Sequence, residues 1–378
     1  MNVLLLDQFG ELGGAQRVLL DTVAAAQQRG WGVWAALPAT GPLSGLLRSR
    51  GVAVVRIPCG PYNPGTKDLR DLLRFLLDLL RQVRLIRSLV KRTRFDLIYV
   101  NGPRVLPAAA LAAHAPARVL FHAHSHIGQR LARTLVVSSI RHAGAAVVAC
   151  SDSVMQALRG SVNPESQFVI PNGVPEIVFR DREFGRDGKW RIGVIGRISP
   201  EKGQAEFLRA AAVLQREFPK AEFVICGAPL YSAPSYFDRV QELARGLPVQ
   251  FLGWRDDIGP VLSDLDLLAV PSQQEGMGRV VVEAYSAGVP VVAFATGGIP
   301  EIVSDGETGF LVQQKTPEAF AQGLSRTMRS DPTNLRRIAA NARRAWESRY
   351  TARMYQDRIS QVMQSVADPA KQKTALGG

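Results

Sequence analysis

Residues 190–203 read WRIGVIGRISPEKG, and this stretch decides the fold. Arg191 to Ile195 is a short apolar strand, Gly196 to Gly203 a loop with glycine at each end, and Gln204 to Glu217 a helix that stops before Pro219. Strand, glycine loop and helix open a doubly wound α/β domain. Glycine lets backbone approach a ligand closely, and a helix N-terminus favours an anion. Arg197 and Lys202 add positive charge at that same end. The combination suits a diphosphate. A βα turn with solvated basic residues fits the same spacing.

The pattern also stands at the N-terminus. Asn2 to Asp7 is an apolar run, the loop Phe9-Gly10-Glu11-Leu12-Gly13-Gly14 follows, and Ala15 to Arg29 is helical up to Gly30. Two segments that open alike mark two domain starts. Between them, strands are expected at Val33–Leu37, Val52–Ile57, Leu97–Val100, Val119–His122, Ala146–Ala149 and Phe168–Ile170. After Trp190 they are expected at Glu222–Cys226, Val249–Leu252, Leu267–Val270, Val291–Ala293 and Gly309–Val312. Apolar strands alternating with helices imply parallel sheets covered on both faces. Pro171 to Lys189 is polar and reads as the interdomain linker, and the last dozen residues as a loose tail. Ligands of such sheets sit outside the carboxyl ends of the strands.

The totals fit this reading. The chain of 378 residues is 46% hydrophobic and 21% charged, ordinary for a globular protein of two domains. Cys59, Cys150 and Cys226 are widely spaced and form no CxxC pair, so a reduced compartment is expected. Met1 to Leu6 has no basic flank and reads as a buried strand, not a signal peptide. No apolar stretch approaches the ~20 residues of a membrane span; the longest, around Leu135 to Ala149, is broken by Arg141 and His142. The net charge of +13 is uneven: residues 1–172 carry 20 Lys and Arg against 9 Asp and Glu. A basic N-terminal half favours anionic partners.

Further groups carry chemistry. Glu275-Gly276-Met277-Gly278-Arg279 leads from a strand into a helix, and Glu283 lies eight residues beyond Glu275, on roughly the same side. Two carboxylates beside a phosphate site suit sugar and ribose hydroxyls; a helix-start carboxylate plus a surface glutamate is the plainer alternative. Gly297-Gly298-Ile299-Pro300-Glu301 again permits close backbone approach. His122 and His124 share one face of a strand end. With no Asp, Glu or Cys close by, a histidine bonded to a substrate hydroxyl is favoured over a metal site. The helix Asp68 to Arg94 gathers Arg70, Arg74, Arg81, Arg84, Lys91 and Arg92 on one face, with leucines and Phe75 on the other. It reads either as a membrane-interface helix or as a surface helix packed on the sheet with snorkelling arginines.

In this order, the groups resemble the GT-B fold glycosyltransferases of family 4, over nearly the whole chain. The resemblance rests on Gly13-Gly14-Ala15, His124, Ile170-Pro171-Asn172-Gly173-Val174, Gly196-Arg197 with Lys202-Gly203, Glu275 through Glu283, and Gly297-Gly298 with Glu301. It implies two Rossmann-like domains facing a central cleft. Residues 1–172 would form the acceptor-side domain and 173–344 the donor-binding domain, with a helix at about 345–365 returning to the first. Trp346, Tyr350 and Tyr355 suit that docking.

The resemblance also implies roles. Arg197 and Lys202 would hold the donor diphosphate, Glu275 the transferred sugar and Glu283 the ribose. The amides of Gly276, Met277 and Gly278 would approach the sugar and phosphate. Gly13 and Gly14 would close over the donor, and His124 would reach the sugar. Three positions depart from the family pattern: Gln16 where an acidic residue is common, Pro175 in place of aspartate, and Met277 in place of phenylalanine.

The function so implied is retaining hexosyl transfer from a nucleotide-diphosphate sugar, with no metal and no other cofactor. The acceptor is expected to be a glycan or lipid-linked intermediate of cell-surface polysaccharide or glycolipid synthesis. The basic half adds an anionic membrane surface as partner, so the chain is expected in the cytoplasm, peripheral on the inner face of the membrane. A non-catalytic sugar-nucleotide-binding subunit is the alternative, opposed by intact Lys202, Glu275 and His124. Nucleic acid is not expected, because aromatic and basic residues do not interleave.

Overall fold

The computed structural model describes residues 1–39, 41–60, 69–179, 183–230 and 233–368. The chain forms two compact units: residues up to Asn172 together with the chain from Arg353, and Gly173–Ala352.

In the first unit the elements run β1 (Asn2–Leu6), α1 (Gly14–Gln28), β2 (Gly32–Leu37), α2 (Leu43–Ser49), β3 (Ala53–Arg56), α3 (Leu69–Arg92), β4 (Leu97–Val100), α4 (Leu106–Ala112), β5 (Arg118–Ala123), α5 (Arg130–Ala143), β6 (Ala146–Ala149), α6 (Asp152–Gln156) and β7 (Gln167–Val169). The strands make a parallel sheet in the order β3-β2-β1-β4-β5-β6-β7. The strand order reverses between β1 and β4, where Leu6 pairs with Val100.

The second unit runs β8 (Arg191–Ile195), α7 (Gln204–Glu217), β9 (Glu222–Cys226), α8 (Pro234–Leu243), β10 (Val249–Gly253), α9 (Gly259–Ser263), β11 (Leu267–Val270), α10 (Arg279–Ala287), β12 (Val291–Phe294), α11 (Ile299–Ile302), β13 (Phe310–Val312), α12 (Pro317–Met328) and α13 (Pro332–Arg349). Its parallel sheet has the order β10-β9-β8-β11-β12-β13, with the reversal between β8 and β11.

Every strand expected from the sequence is present, with ends displaced by at most one residue. The central strands β4, β6, β11 and β12 are buried along their whole length. Helices cover both faces of such a sheet, so its strands are apolar on both sides. Each fully buried Val or Leu there stabilises the unit by about 1.5–3 kcal/mol.

The helix expected at about 345–365 is two helices. The chain breaks after α13, where Val174 bridges Thr351 and the Val174 amide donates to the Tyr350 carbonyl at 2.9 Å. The last helix, α14 (Ala352–Ala367), places Tyr355, Ile359 and Met363 in the core of the first unit. Trp346 and Tyr350 belong instead to the second unit, where the Trp346 indole donates to the Val174 carbonyl at 3.2 Å.

The stretch read as a linker is in part stitched to the second unit. The Ile177 amide donates to Ser286 Oγ at 2.8 Å, and Arg343 donates to the Ile177 carbonyl at 3.3 Å. Residues 180–182 of that stretch, and 369–378 of the expected tail, lie outside the described residues.

Of the two readings of α3, the helix packed on the sheet by its leucine face is not the one observed. Leu69, Leu72, Leu73, Leu76, Leu77 and Leu80 are all exposed, at 45–71%. The buried side of that half carries Asp71, Asp78 and Gln82. Asp78 accepts from the Gly60 amide at 2.9 Å, and Gln82 donates to the Pro58 carbonyl at 2.6 Å. These polar bonds tie down the chain that follows β3, so the leucine ridge faces outward. Asp68, the expected first residue of this helix, lies outside the described residues.

Candidate functional site

In the second unit, the loops that follow β8 and β11 lie at the point where the strand order reverses, which is where doubly wound sheets bind ligands. The first loop is braced from beneath by Gln204, which is fully buried. Its Nε2 donates to the Arg197 carbonyl at 2.7 Å and its Oε1 accepts from the Ser199 amide at 3.2 Å. Gly203 begins α7 with φ +73°, and a Cβ there would lie 2.0 Å from the Pro271 carbonyl oxygen. Only glycine lets the two loops meet this closely.

Across that contact, Lys202 Nζ lies 2.7 Å from Glu275 Oε2, with their side chains 23% and 11% exposed. Arg197 pairs with Glu201 at 3.0 Å. The backbone joins the loops again, the Gln273 amide donating to the Glu201 carbonyl at 2.8 Å. Glu275 is held from its other side by Gly297. That residue has φ +55°, and a Cβ would lie 1.7 Å from the Glu275 carbonyl oxygen. The third glycine motif thus seats the second.

Gly276, Met277 and Gly278 lead into α10, with Met277 buried. Glu283, on that helix, bonds Arg279 at 3.0 Å, each side chain 13% exposed. Arg279 also donates to the Gly173 carbonyl at 2.9 Å. The two glutamates therefore lie on adjoining elements but hold different cations.

The first unit has its own cluster at its own reversal point. Asp7 follows β1, Asn101 follows β4 and His124 follows β5. Asp7 is buried and accepts from the Phe9 amide at 2.8 Å, Gln16 Nε2 at 3.1 Å and Asn101 Nδ2 at 2.5 Å. Burial pushes its carboxyl up to about 7, against the pull of those donors. Asn101 Oδ1 meets His124 Nε2 at 2.7 Å. Burial pushes His124 down to about 3 and His122 well below the usual range, the neighbouring His124 adding to the second effect. The two rings lie 3.9 Å apart, and Tyr99 OH bonds His122 Nδ1. Gly13 is the N-cap of α1, and its amide donates to Gln16 Oε1 at 3.2 Å. Gln16, which departs from the family pattern, is the residue that links the Gly13-Gly14 loop to Asp7. A glutamate there would set a second carboxylate against the first; the amide supplies a donor.

Among the described residues, no group of three His, Cys, Asp or Glu side chains is placed as a metal ion would need. None of their helices is long and apolar enough to cross a membrane.

Sequence reasoning missed Asp7, Asn101, Gln204 and Arg279. For Asp7 and Asn101 a signal was present: each is the first polar residue after an apolar run, Val3–Leu6 and Leu97–Val100. Gln204 and Arg279 look like ordinary helix residues until their partners are known.

Residues 178–345 match the family model described as Glycosyl transferases group 1, and residues 12–176 match Glycosyltransferase Family 4. Among curated proteins, the D-inositol 3-phosphate glycosyltransferase of Mycolicibacterium gilvum (strain PYR-GCK) is 39% identical over 156 residues, 40% of this chain. That alignment spans 34% of the relative's length, about a third. Among solved structures, Anabaena HepE in complex with UDP-glucose matches with a TM-score of 0.81 and 25% identity, over 97% of this chain and 100% of its own. Sucrose-phosphate synthase from Thermosynechococcus elongatus, at 20% identity, has the same fold, with a TM-score of 0.77 over 97% of this chain and 98% of its own.

Proposed function

The chain belongs to family 4 of the group 1 glycosyltransferases, and from that premise we propose that it transfers a hexosyl group from a nucleotide-diphosphate sugar to a glycan or lipid-linked acceptor. The observation that carries the proposal is the ion pair of Lys202 and Glu275, with Arg197 beside it, at the reversal point of the second sheet. As the sugar departs, negative charge builds on the diphosphate. Lys202, Arg197 and the amides at the start of α10 stabilise it as fixed dipoles and charges that need no reorganisation. In this reading those groups carry the leaving-group charge without a metal. Glu275, released from Lys202 by the anion, turns to the sugar, and Glu283 to the ribose. Transfer proceeds with retention, the acceptor oxygen entering on the face from which the diphosphate leaves. UDP-glucose is the first donor to test, because HepE, similar over its whole length, is solved with it.

The test is thermal unfolding with UDP, GDP, ADP and their sugar conjugates, for the wild type and Lys202→Ala. A ligand at a hundred times its Kd stabilises by about 2.7 kcal/mol. Stabilisation by one nucleotide, lost in the variant, supports the donor site; none with any nucleotide sinks it.

The exposed leucines of α3 favour a lipid-linked acceptor at an anionic membrane. Six leucines stand outward on a helix that also carries Arg70, Arg74, Arg81, Arg84, Lys91 and Arg92. An apolar ridge with basic flanks fits acyl chains and anionic headgroups together. In this reading the enzyme works on the cytoplasmic face of a membrane.

A further inference from the structure

We infer that Asp7 is a positioning residue: through the Asn101 carboxamide it fixes the tautomer of His124 with hydrogen on Nε2, and so leaves Nδ1 to accept a hydrogen bond from a sugar hydroxyl.

The inference follows from which atoms can donate. The Asp7 carboxylate offers acceptors to the Phe9 amide, to Gln16 Nε2 and to Asn101 Nδ2. Asn101 Nδ2 also donates to the Ala15 carbonyl at 3.2 Å. The Ala15 carbonyl only accepts, and the ionised Asp7 carboxylate does the same. Turning the carboxamide over would set Oδ1 against both of them, so its orientation is dictated by chemistry. Oδ1 must then face His124 Nε2, at 2.7 Å. An amide oxygen cannot donate, so the hydrogen of this bond is on Nε2. Reversing the imidazole ring instead would press a carbon against Oδ1 at a distance only a hydrogen bond tolerates.

A neutral imidazole has one N–H, which leaves Nδ1 a lone pair. That atom is buried and has no hydrogen-bond partner among the described residues. Burial keeps His124 neutral, so Nδ1 does not gain a proton of its own. A buried acceptor of this kind is matched by a hydroxyl donor and repels another acceptor. The tautomer is a property of the protein alone. The identity of the hydroxyl as a sugar's rests on the function proposed above.

Replacing Asp7 by the isosteric Asn makes the mechanism visible. Oδ1 of the new side chain would keep the Phe9 and Gln16 bonds, which puts its NH2 where Asp7 Oδ2 met Asn101. The new NH2 then asks for Asn101 Oδ1 while the Ala15 carbonyl still asks for its NH2, so the carboxamide is no longer held one way and the imidazole hydrogen divides between Nε2 and Nδ1.

Two-bond 1H–15N spectra of the full-length protein, with His124 identified by its loss in His124→Gln, read the tautomer directly. The wild type is expected to show the unprotonated nitrogen at Nδ1 alone, and Asp7→Asn a mixture of the two tautomers. Saturation with UDP-glucose, confirmed by calorimetry, is expected to shift the wild-type Nδ1 resonance. Asp7→Asn is expected to lower kcat/KM about tenfold, the size of one hydrogen bond. A wild-type hydrogen on Nδ1 overturns the inference, even if the variant fails to fold. So does a folded Asp7→Asn with an unchanged tautomer. Binding without a shift of Nδ1 overturns the assignment of the hydroxyl. No binding of any nucleotide sugar, with the tautomer as expected, overturns the proposed donor site and leaves the positioning relation standing.

Discussion

Lys202 Nζ and Glu275 Oε2 stand 2.7 Å apart although 73 residues separate them in the chain. Each lies in the loop after a strand that borders the reversal point, so the sheet order alone makes them neighbours. Both side chains are largely covered, so the pair is an anion site already closed by its own carboxylate.

Lys202→Ala is expected to cut turnover by at least ~10²-fold, because the lost charge acts on the departing diphosphate. Lys202→Arg keeps the charge and should recover part of it. Steady-state assays of both variants with one donor decide the point. Wild-type turnover in Lys202→Ala would remove the residue from the mechanism.

Gly297→Ala tests the seat of Glu275. The residue has φ +55° and its Cβ would strike the Glu275 carbonyl at 1.7 Å, whereas Gly306, at φ +73°, faces open space. Both substitutions carry left-handed strain of about 1–2 kcal/mol, and only the first adds a collision. Urea unfolding should show Gly297→Ala less stable than Gly306→Ala, with activity lost in the former alone. Equal losses would mean that the contact relaxes freely.

His124 gives stability a pH dependence whose sign is fixed by its burial. Its usual value of 6.5 falls to about 3 in the folded chain. The unfolded chain therefore takes up a proton near 6.5 that the folded one refuses until about 3. The contribution is fully present above 6.5 and is lost as the pH falls through that window. His124→Gln should lose less stability than the wild type between about pH 6.5 and pH 4. Parallel loss in both proteins would show that this imidazole titrates normally.

Asp7 acts in the opposite sense. Its carboxyl moves from 3.8 up to about 7, so the wild type loses stability relative to Asp7→Asn as the pH rises through that interval. Denaturant midpoints at both ends of the window measure it. A difference that does not change with pH would contradict the burial argument.

The leucine ridge of α3 predicts salt-sensitive binding to anionic vesicles. Leu76→Gln with Leu80→Gln should weaken sedimentation at least tenfold, since each inserted leucine contributes about 1.5–3 kcal/mol. Arg81→Gln with Arg84→Gln should lower the salt dependence instead, at about 1 kcal/mol per charge. Vesicle binding that neither pair alters would place the contact elsewhere.

Much of this was legible in one dimension. Apolar runs such as Leu97–Val100 and Leu267–Val270 can only be strands buried on both faces, and glycine loops between strand and helix announced both reversal points. Lys202, Glu275 and His124 were singled out because charge and imidazole stand in the loops after strands, where a parallel sheet gathers its ligands, and Glu283 because it lies two helical turns beyond Glu275. Periodicity left α3 open: it finds the leucine face but not the direction that face takes. That direction was decided by Asp78 and Gln82 bonding the backbone of Gly60 and Pro58.

The sequence by itself determined the two parallel-sheet units, their glycine loops and the residue types of the candidate site, because strand and helix periods and backbone sterics act over short range. Tertiary structure alone decided the partnerships: Lys202 with Glu275, Arg279 with Glu283 and Gly173, Asp7 with Gln16 and Asn101, and Asn101 with His124. It also decided that Gln16 belongs among them, and that Trp346 and Tyr355 serve different units. Hydrogen bonds and ion pairs depend on distances of about 3 Å between side chains, and strand order, which sets those distances, is written in no local pattern of the chain.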